Sequence, residues 1–132
     1  MSERRQKSLV LILAREFAAN LAVPVYVADA EGTLVYFNEA AEEIAGGSFA
    51  ETGELPMEQW ALRLAPESLD GLRLSRPEMP GGIAYAERRP AHGKMRITGL
   101  DGKRRTVEAT VFPLFGSSKD FHGVMGIFWE LK

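Results

Sequence analysis

The first apolar pattern in the chain has a helical period. Leu9, Ile12, Leu13, Phe17 and Leu21 recur at three- and four-residue steps, which predicts one face of a helix running from Ser2, its cap, to Leu21. Val10, Leu11, Ala14 and Ala18 are apolar too, so the stripe is wide. A helix apolar on more than one side is covered on more than one side. One side is therefore expected on the helix's own domain and the other on a second subunit. Pro24 ends the segment.

Beyond Pro24 the period changes to two. Val25–Asp29 and Thr33–Asn38 read as strands joined by the turn Asp29-Ala30-Glu31-Gly32. Asn38 is placed to accept hydrogen bonds from the free N–H groups of a following helix. Glu39 suits the helix dipole, and Gly46 and Gly47 stop the helix. Residues 48–80 are less regular. Met57–Ala65 predicts a short helix with Trp60 and Leu64 on one side, and a Pro- and Gly-rich loop follows. Gly82–Arg89 predicts another short helix that ends before Pro90.

Three more strands are predicted: Gly93–Thr98, Arg104–Leu114 and Gly123–Leu131. Gly99–Lys103 forms a tight hairpin between the first two, and Gly116–Asp120 a loop between the second and third. Val107, Ala109 and Val111 alternate with Thr106, Glu108 and Thr110. The last strand is apolar on both faces, which marks a central strand covered on both sides. Helix, two strands, short helices and three strands make a five-stranded antiparallel sheet with helices segregated to one face, an α+β design.

Composition narrows the chemistry. The 132 residues, 45% apolar, suit one domain with a core that needs no metal or disulfide. The net charge of −2 gives no reason to expect nucleic acid, and the basic clusters Arg4-Arg5 and Lys103–Arg105 are too short to change that. There is no cysteine, which removes disulfides, thiolate nucleophiles and Cys-based metal sites. Leu9–Ala14, the longest apolar run, is too short to span a bilayer and lacks the form of a signal peptide. A soluble cytoplasmic protein is expected. Asp29 and Glu108 are available carboxylates, but no second catalytic group is spaced to join them, so the chain is not expected to be an enzyme.

Val25–Gly46 (VYVADAEGTLVYFNEAAEEIAG), Gly81–Phe115 and Gly123–Glu130 together resemble the PAS domain family over roughly residues 21–131. The shared order is strand, Asp-x-x-Gly turn, strand, Asn and helix, then helix, strand, Asp-Gly hairpin, long strand and final strand. The resemblance implies a sensory and interaction module, with residues 1–21 as a dimerising helix and 22–132 as the PAS domain. It implies the spatial strand order 2-1-5-4-3, short helices on one sheet face and the N-terminal helix on the other. In multidomain relatives an output segment follows the last strand. Here the chain is either a stand-alone sensor acting through a separate signalling partner or part of a longer protein.

The resemblance also bears on cofactors. Light-sensing relatives use a Cys in an Asn-Cys-Arg-Phe motif, and others a thioester-linked chromophore; neither is possible without cysteine. Haem-binding relatives place a His on the helix corresponding to Gly82–Arg89, and none is there. His92 reads as an exposed loop or strand-start residue, His122 as a solvated loop residue before the last strand, and Met79 and Met95 as apolar filler rather than iron ligands. Haem is therefore not expected. If a ligand exists, it is expected to be small, largely apolar and non-covalent. By resemblance, Tyr26, Ala28, Val35 and Phe37 point inward from the first hairpin and Ala41 from its helix, with Trp60, Tyr85, Met95 and Ile97 as further walls. Val25, Val27, Leu34 and Tyr36 face the N-terminal helix. Tyr26, Trp60 and Tyr85 are candidate hydrogen-bonding groups, and no Arg or Lys belongs to the set. Leu9, Ile12, Leu13, Phe17 and Leu21 are the candidate dimer interface. The alternative reading is a ligand-free interaction module with a pocket filled by its own side chains.

Overall fold

The computed structural model describes residues 8–132. The Ser2 cap and the first turns expected of the N-terminal helix lie outside the described residues. Helix α1 spans Leu9–Ala19, and the Ser8 hydroxyl caps it by accepting from Leu11 N at 3.2 Å. The helix ends before Leu21 because Asn20 turns its side-chain amide onto Glu16 O at 2.8 Å, in competition with the helical backbone.

Strands β1 (Val25–Asp29) and β2 (Leu34–Phe37) follow. In the turn between them Asp29 Oδ1 accepts from the N–H groups of Glu31 and Thr33, and Gly32 takes a φ of +86°. Helix α2 (Glu39–Ala45) starts at Asn38 and ends at Gly46 in the left-handed conformation. A one-turn helix, α3 (Phe49–Thr52), was not expected from the pattern; Ser48 caps it through Glu51 N. Next come α4 (Met57–Leu64), α5 (Pro80–Glu87), β3 (Ala91–Thr98), β4 (Arg104–Phe115) and β5 (Phe121–Leu131). Helix α5 begins two residues before the predicted start because Pro80 is tolerated at a first helical position.

The five strands form one antiparallel sheet in the order β2-β1-β5-β4-β3. The last strand is central, paired with β1 on one side and β4 on the other. Its Val124 and Met125 enter opposite cores, as a strand covered on both faces requires. Helix α1 lies on the outer face, where Ala14 and Ala18 pack on Val25, Val27, Val35 and Met125. The small side chains let the helix approach the sheet closely. Helices α2–α5 cover the inner face. Among the described residues no helix is long and apolar enough to cross a membrane.

One strand face differs from strict alternation. Val27 pairs with Tyr36 but Ala28 pairs with Leu34, so Val35 is an extra residue on β2. Such a bulge puts two successive side chains on one face. Val35, expected inward, packs on the outer face with α1, and Leu34, expected outward, turns inward. Leu34 is held there by paired backbone bonds with Leu55.

Candidate functional site

Between the inner sheet face and the short helices lies a cavity of about 160 Å³ with an almost wholly apolar wall. Its floor is Tyr26 and Ala28 of β1, Leu34 and Phe37 of β2, Val107, Ala109 and Val111 of β4, and Val124 and Phe128 of β5. Met95 and Ile97 close it from β3, and Trp60 and Tyr85 from α4 and α5. Of the residues predicted to point inward, Val35 is on the other face. Ala41 is buried behind Leu34, Phe37 and Leu55 and does not reach the cavity.

Tyr26 has the most constrained placement. Its ring crosses β5 at Gly126, where a Cβ would fall 2.2 Å from Tyr26 Cε2, so β5 needs glycine at that point. The ring sits at tilted angles between Trp60 (6.0 Å) and Phe128 (6.1 Å). Its hydroxyl ends beside Gly81, at the start of α5, where a Cβ would lie 2.9 Å away.

The three aromatic residues with polar tips differ in one respect. Trp60 Nε1 donates to Gly32 O at 3.1 Å, and Tyr85 donates its hydroxyl to Ala30 O at 2.6 Å. Both are therefore engaged in holding the β1–β2 turn rather than offered to a ligand. The Tyr26 hydroxyl has no partner among the described residues. Burial pushes its pKa well above the ordinary phenol value.

This shift gives a pH prediction. Below the ordinary phenol pKa of 10.0 both states hold the proton; above it the unfolded chain releases the Tyr26 proton while the folded chain keeps it. Stability should therefore fall as pH rises through and beyond that value. Urea unfolding at about pH 9 and about pH 11 should show a smaller decline for Tyr26→Phe than for the parent chain. Equal declines would sink the assignment.

The remaining polar residues stand elsewhere. His92 is an exposed residue at the start of β3, as expected, and bonds Glu108 Oε2 at 2.6 Å. His122 is on β5 and half-buried, not solvated. Its Nδ1 meets Ser8 Oγ and its Nε2 meets Asp120 Oδ2, each at 2.6 Å, which ties the start of α1 to β5. Neither histidine reaches the cavity. Asp29 and Glu108 are held in the turn and the His92 pair. Among the described residues there is no cluster of three or more potential metal ligands. Met79 and Met95 line the cavity.

The sequence reading missed two cavity residues, Arg63 on α4 and Arg76 in the short 3-10 turn Arg76–Glu78 before α5. Each lies in a segment whose partner face no local period reveals. Both side chains are exposed, and no Asp or Glu lines the cavity. Leu21, grouped with the outward face of α1, lies past the helix end and packs against the core with Leu11. Leu9, Ile12, Leu13 and Phe17 are exposed.

Comparison with solved structures gives the same architecture. The PAS domain of Bordetella pertussis BvgS is 20% identical, with a TM-score of 0.60 over 92% of this chain and 85% of that one. The PAS domain of a Colwellia psychrerythraea protein is 18% identical, with a TM-score of 0.65 over 92% of this chain and 97% of that one. A LOV protein of Rhodobacter sphaeroides is 14% identical, with a TM-score of 0.70 over 95% and 69%. At these identities the likeness concerns the fold. No curated protein sequence matches the chain. A family model described as the PAS fold matches residues 18–132, and with the strand order and helical cover above, the chain belongs to the PAS fold family.

Proposed function

We propose that the chain is a cytoplasmic sensory module that binds a small, largely apolar ligand without a covalent bond, forms a homodimer through α1, and passes its signal to a partner protein. On this reading residues 1–21 serve dimerisation and residues 22–132 sensing. The observation that carries the proposal is the cavity. It has an apolar wall with few polar groups, as small-molecule sites do. At about 160 Å³ it matches the size that accommodates a single aromatic ring. The family's reactive cofactors do not fit these residues. No thiol is present for a flavin adduct, and no histidine faces the cavity as a haem ligand. An absorption scan of purified protein should show only the aromatic band; a Soret peak or a flavin band that survives desalting would overturn this part.

The test of the cavity is Ala28→Trp. Ala28 is buried at the cavity floor, so an indole there should fill the space. Binding of toluene, followed by amide chemical shifts, should be abolished with the fold retained. If the parent binds no apolar probe and the substitution costs about 1–3 kcal/mol by overpacking, the core is solid. The ligand-free interaction module is then the better reading.

A further inference from the structure

We propose, resting on the reading of the cavity as a ligand site, that residues 56–66 are the gate of that cavity. The segment opens by unwinding α4 between two fixed anchors, and the Trp60 indole is its latch.

The anchors are backbone pairs on opposite edges of the sheet. On β2, Leu34 N donates to Leu55 O at 2.8 Å and Leu55 N to Leu34 O at 3.1 Å. On β3, Glu67 N donates to Arg96 O at 2.9 Å and Arg96 N to Glu67 O at 2.8 Å. Strands β2 and β3 are the two outer strands. The residues between the anchors therefore cross the inner face from edge to edge. Their side chains mark the path: Trp60 packs with Leu34, Phe37 and Leu55 near β2, and Leu64 with Ile97 and Val107 near β3. Trp60, Ala61 and Leu64 all line the cavity, so this strap is its roof.

The strap is held less firmly than the other walls. Helices α1, α2 and α5 each bury two residues, whereas α4 buries none. Pro56, at its cap position, makes no side-chain cap bond. Ala65 ends the helix at a φ of +43°, a left-handed conformation unfavourable for a residue with a Cβ. Elements with few buried contacts open well below the free energy of global unfolding. Unwinding also supplies slack, because a helical residue advances about 1.5 Å and an extended one about 3.3 Å. The strap can lift while Leu55 and Glu67 stay paired.

The latch lies at the β1–β2 turn. Trp60 Nε1 donates to Gly32 O, and Met57 packs so closely on Gly32 that a Cβ there would collide with it. The turn itself is held independently by α5, through the Tyr85 hydroxyl on Ala30 O. It therefore stays in place when α4 leaves. A ligand in the cavity meets Trp60 and Leu64 only when the strap is closed, so occupancy shifts the strap toward its closed state.

The experiment is amide hydrogen exchange by NMR on the full chain, with and without toluene as the probe, together with the rate of toluene release. The α4 amides are expected to be at least about tenfold less protected than those of β4, and toluene should protect them selectively. Ala65 does not line the cavity, and glycine tolerates its conformation. Ala65→Gly should therefore raise α4 protection about fivefold and slow toluene release by a similar factor. Trp60→Phe should move both about fivefold the other way, with β4 unchanged in either variant. If the α4 amides are as protected as those of β4, the strap does not open separately and the proposal is overturned. If Ala65→Gly protects α4 but leaves toluene release unchanged, the ligand passes elsewhere and the gate is overturned while the cavity stands. If toluene does not bind, the cavity reading fails and the gate with it, whatever α4 exchange shows.

Discussion

Asn38→Ala is expected to destabilise the fold by about 3–5 kcal/mol, an effect at the upper end for a single substitution. Asn38 is only 1% exposed and joins four parts of the chain. Its Oδ1 accepts from Val25 N at 3.0 Å and from Ala41 N at 3.1 Å. Its Nδ2 donates to Ala18 O at 2.9 Å and Val23 O at 2.8 Å, with Leu21 O at 3.4 Å. The end of α1, the linker to β1, the start of β1 and the first turn of α2 therefore meet at one amide. Its orientation is unambiguous, since only N–H groups face the oxygen and only carbonyls face the nitrogen.

Alanine would leave two donors and at least two acceptors in a site closed to water, at roughly 1–3 kcal/mol for each group that stays unsatisfied. Asn38→Asp retains the acceptor side but sets a carboxylate oxygen against the Ala18 and Val23 carbonyls, so it should be no milder. Asn20→Ala, which removes an exposed bond to Glu16 O, should cost under about 1 kcal/mol. Urea unfolding measures all three. A loss below about 1 kcal/mol for Asn38→Ala would show that the junction tolerates its absence.

A second large effect is expected on α1. Leu13 and Phe17 are 58% and 57% exposed, and Leu9 is 66% exposed. Burying each such side chain is worth roughly 1.5–3 kcal/mol, so this face gains most from a second subunit. The double substitution Leu13→Asp/Phe17→Asp should convert a dimer to a monomer in sedimentation while the thermal transition remains cooperative, because neither side chain supports the protomer core. Ala14→Asp, on the opposite side of the helix, should instead unfold the chain, since Ala14 is buried against Val25 and Val27. A parent chain that sediments as a monomer at on the order of tens of micromolar would refute the interface.

The elements themselves were legible because their signals are local. The alternation in Thr106–Val111, the Asp29–Gly32 turn, and the Asn38 and Gly46 ends of α2 depend on residues a few positions apart. Backbone geometry there repeats with a fixed period. The two-sided apolar character of Gly123–Leu131 was enough to mark β5 as central. The irregular stretch after Gly47 gave less, since α3 rests on one serine cap and one turn of helix.

The candidate site was legible only in outline. Tyr26, Ala28, Phe37, Trp60, Tyr85, Met95 and Ile97 do line one cavity, because alternation along a strand and the family's topology place them on one face. Leu34 and Val35 exchanged faces because the bulge on β2 arises from its pairing with β1, and no period within β2 reveals an extra residue. Arg63 and Arg76 reached the wall through the packing of α4 and of the 3-10 turn before α5.

Sequence alone, then, determined the kind and order of the strands and of the helices other than α3, the Asp29–Gly32 turn, the Asn38 cap and the centre of the sheet, all consequences of local backbone preference and local burial pattern. Tertiary structure decided which face Val35 presents, that Trp60 and Tyr85 bind the Ala30–Gly32 turn, that His122 bridges Ser8 and Asp120, and that the Tyr26 hydroxyl meets no partner among the described residues. Each of these is a pairing between residues distant in the chain. Which donor meets which acceptor depends on the three-dimensional approach of whole elements, and a one-dimensional pattern of apolar and polar positions does not encode that approach.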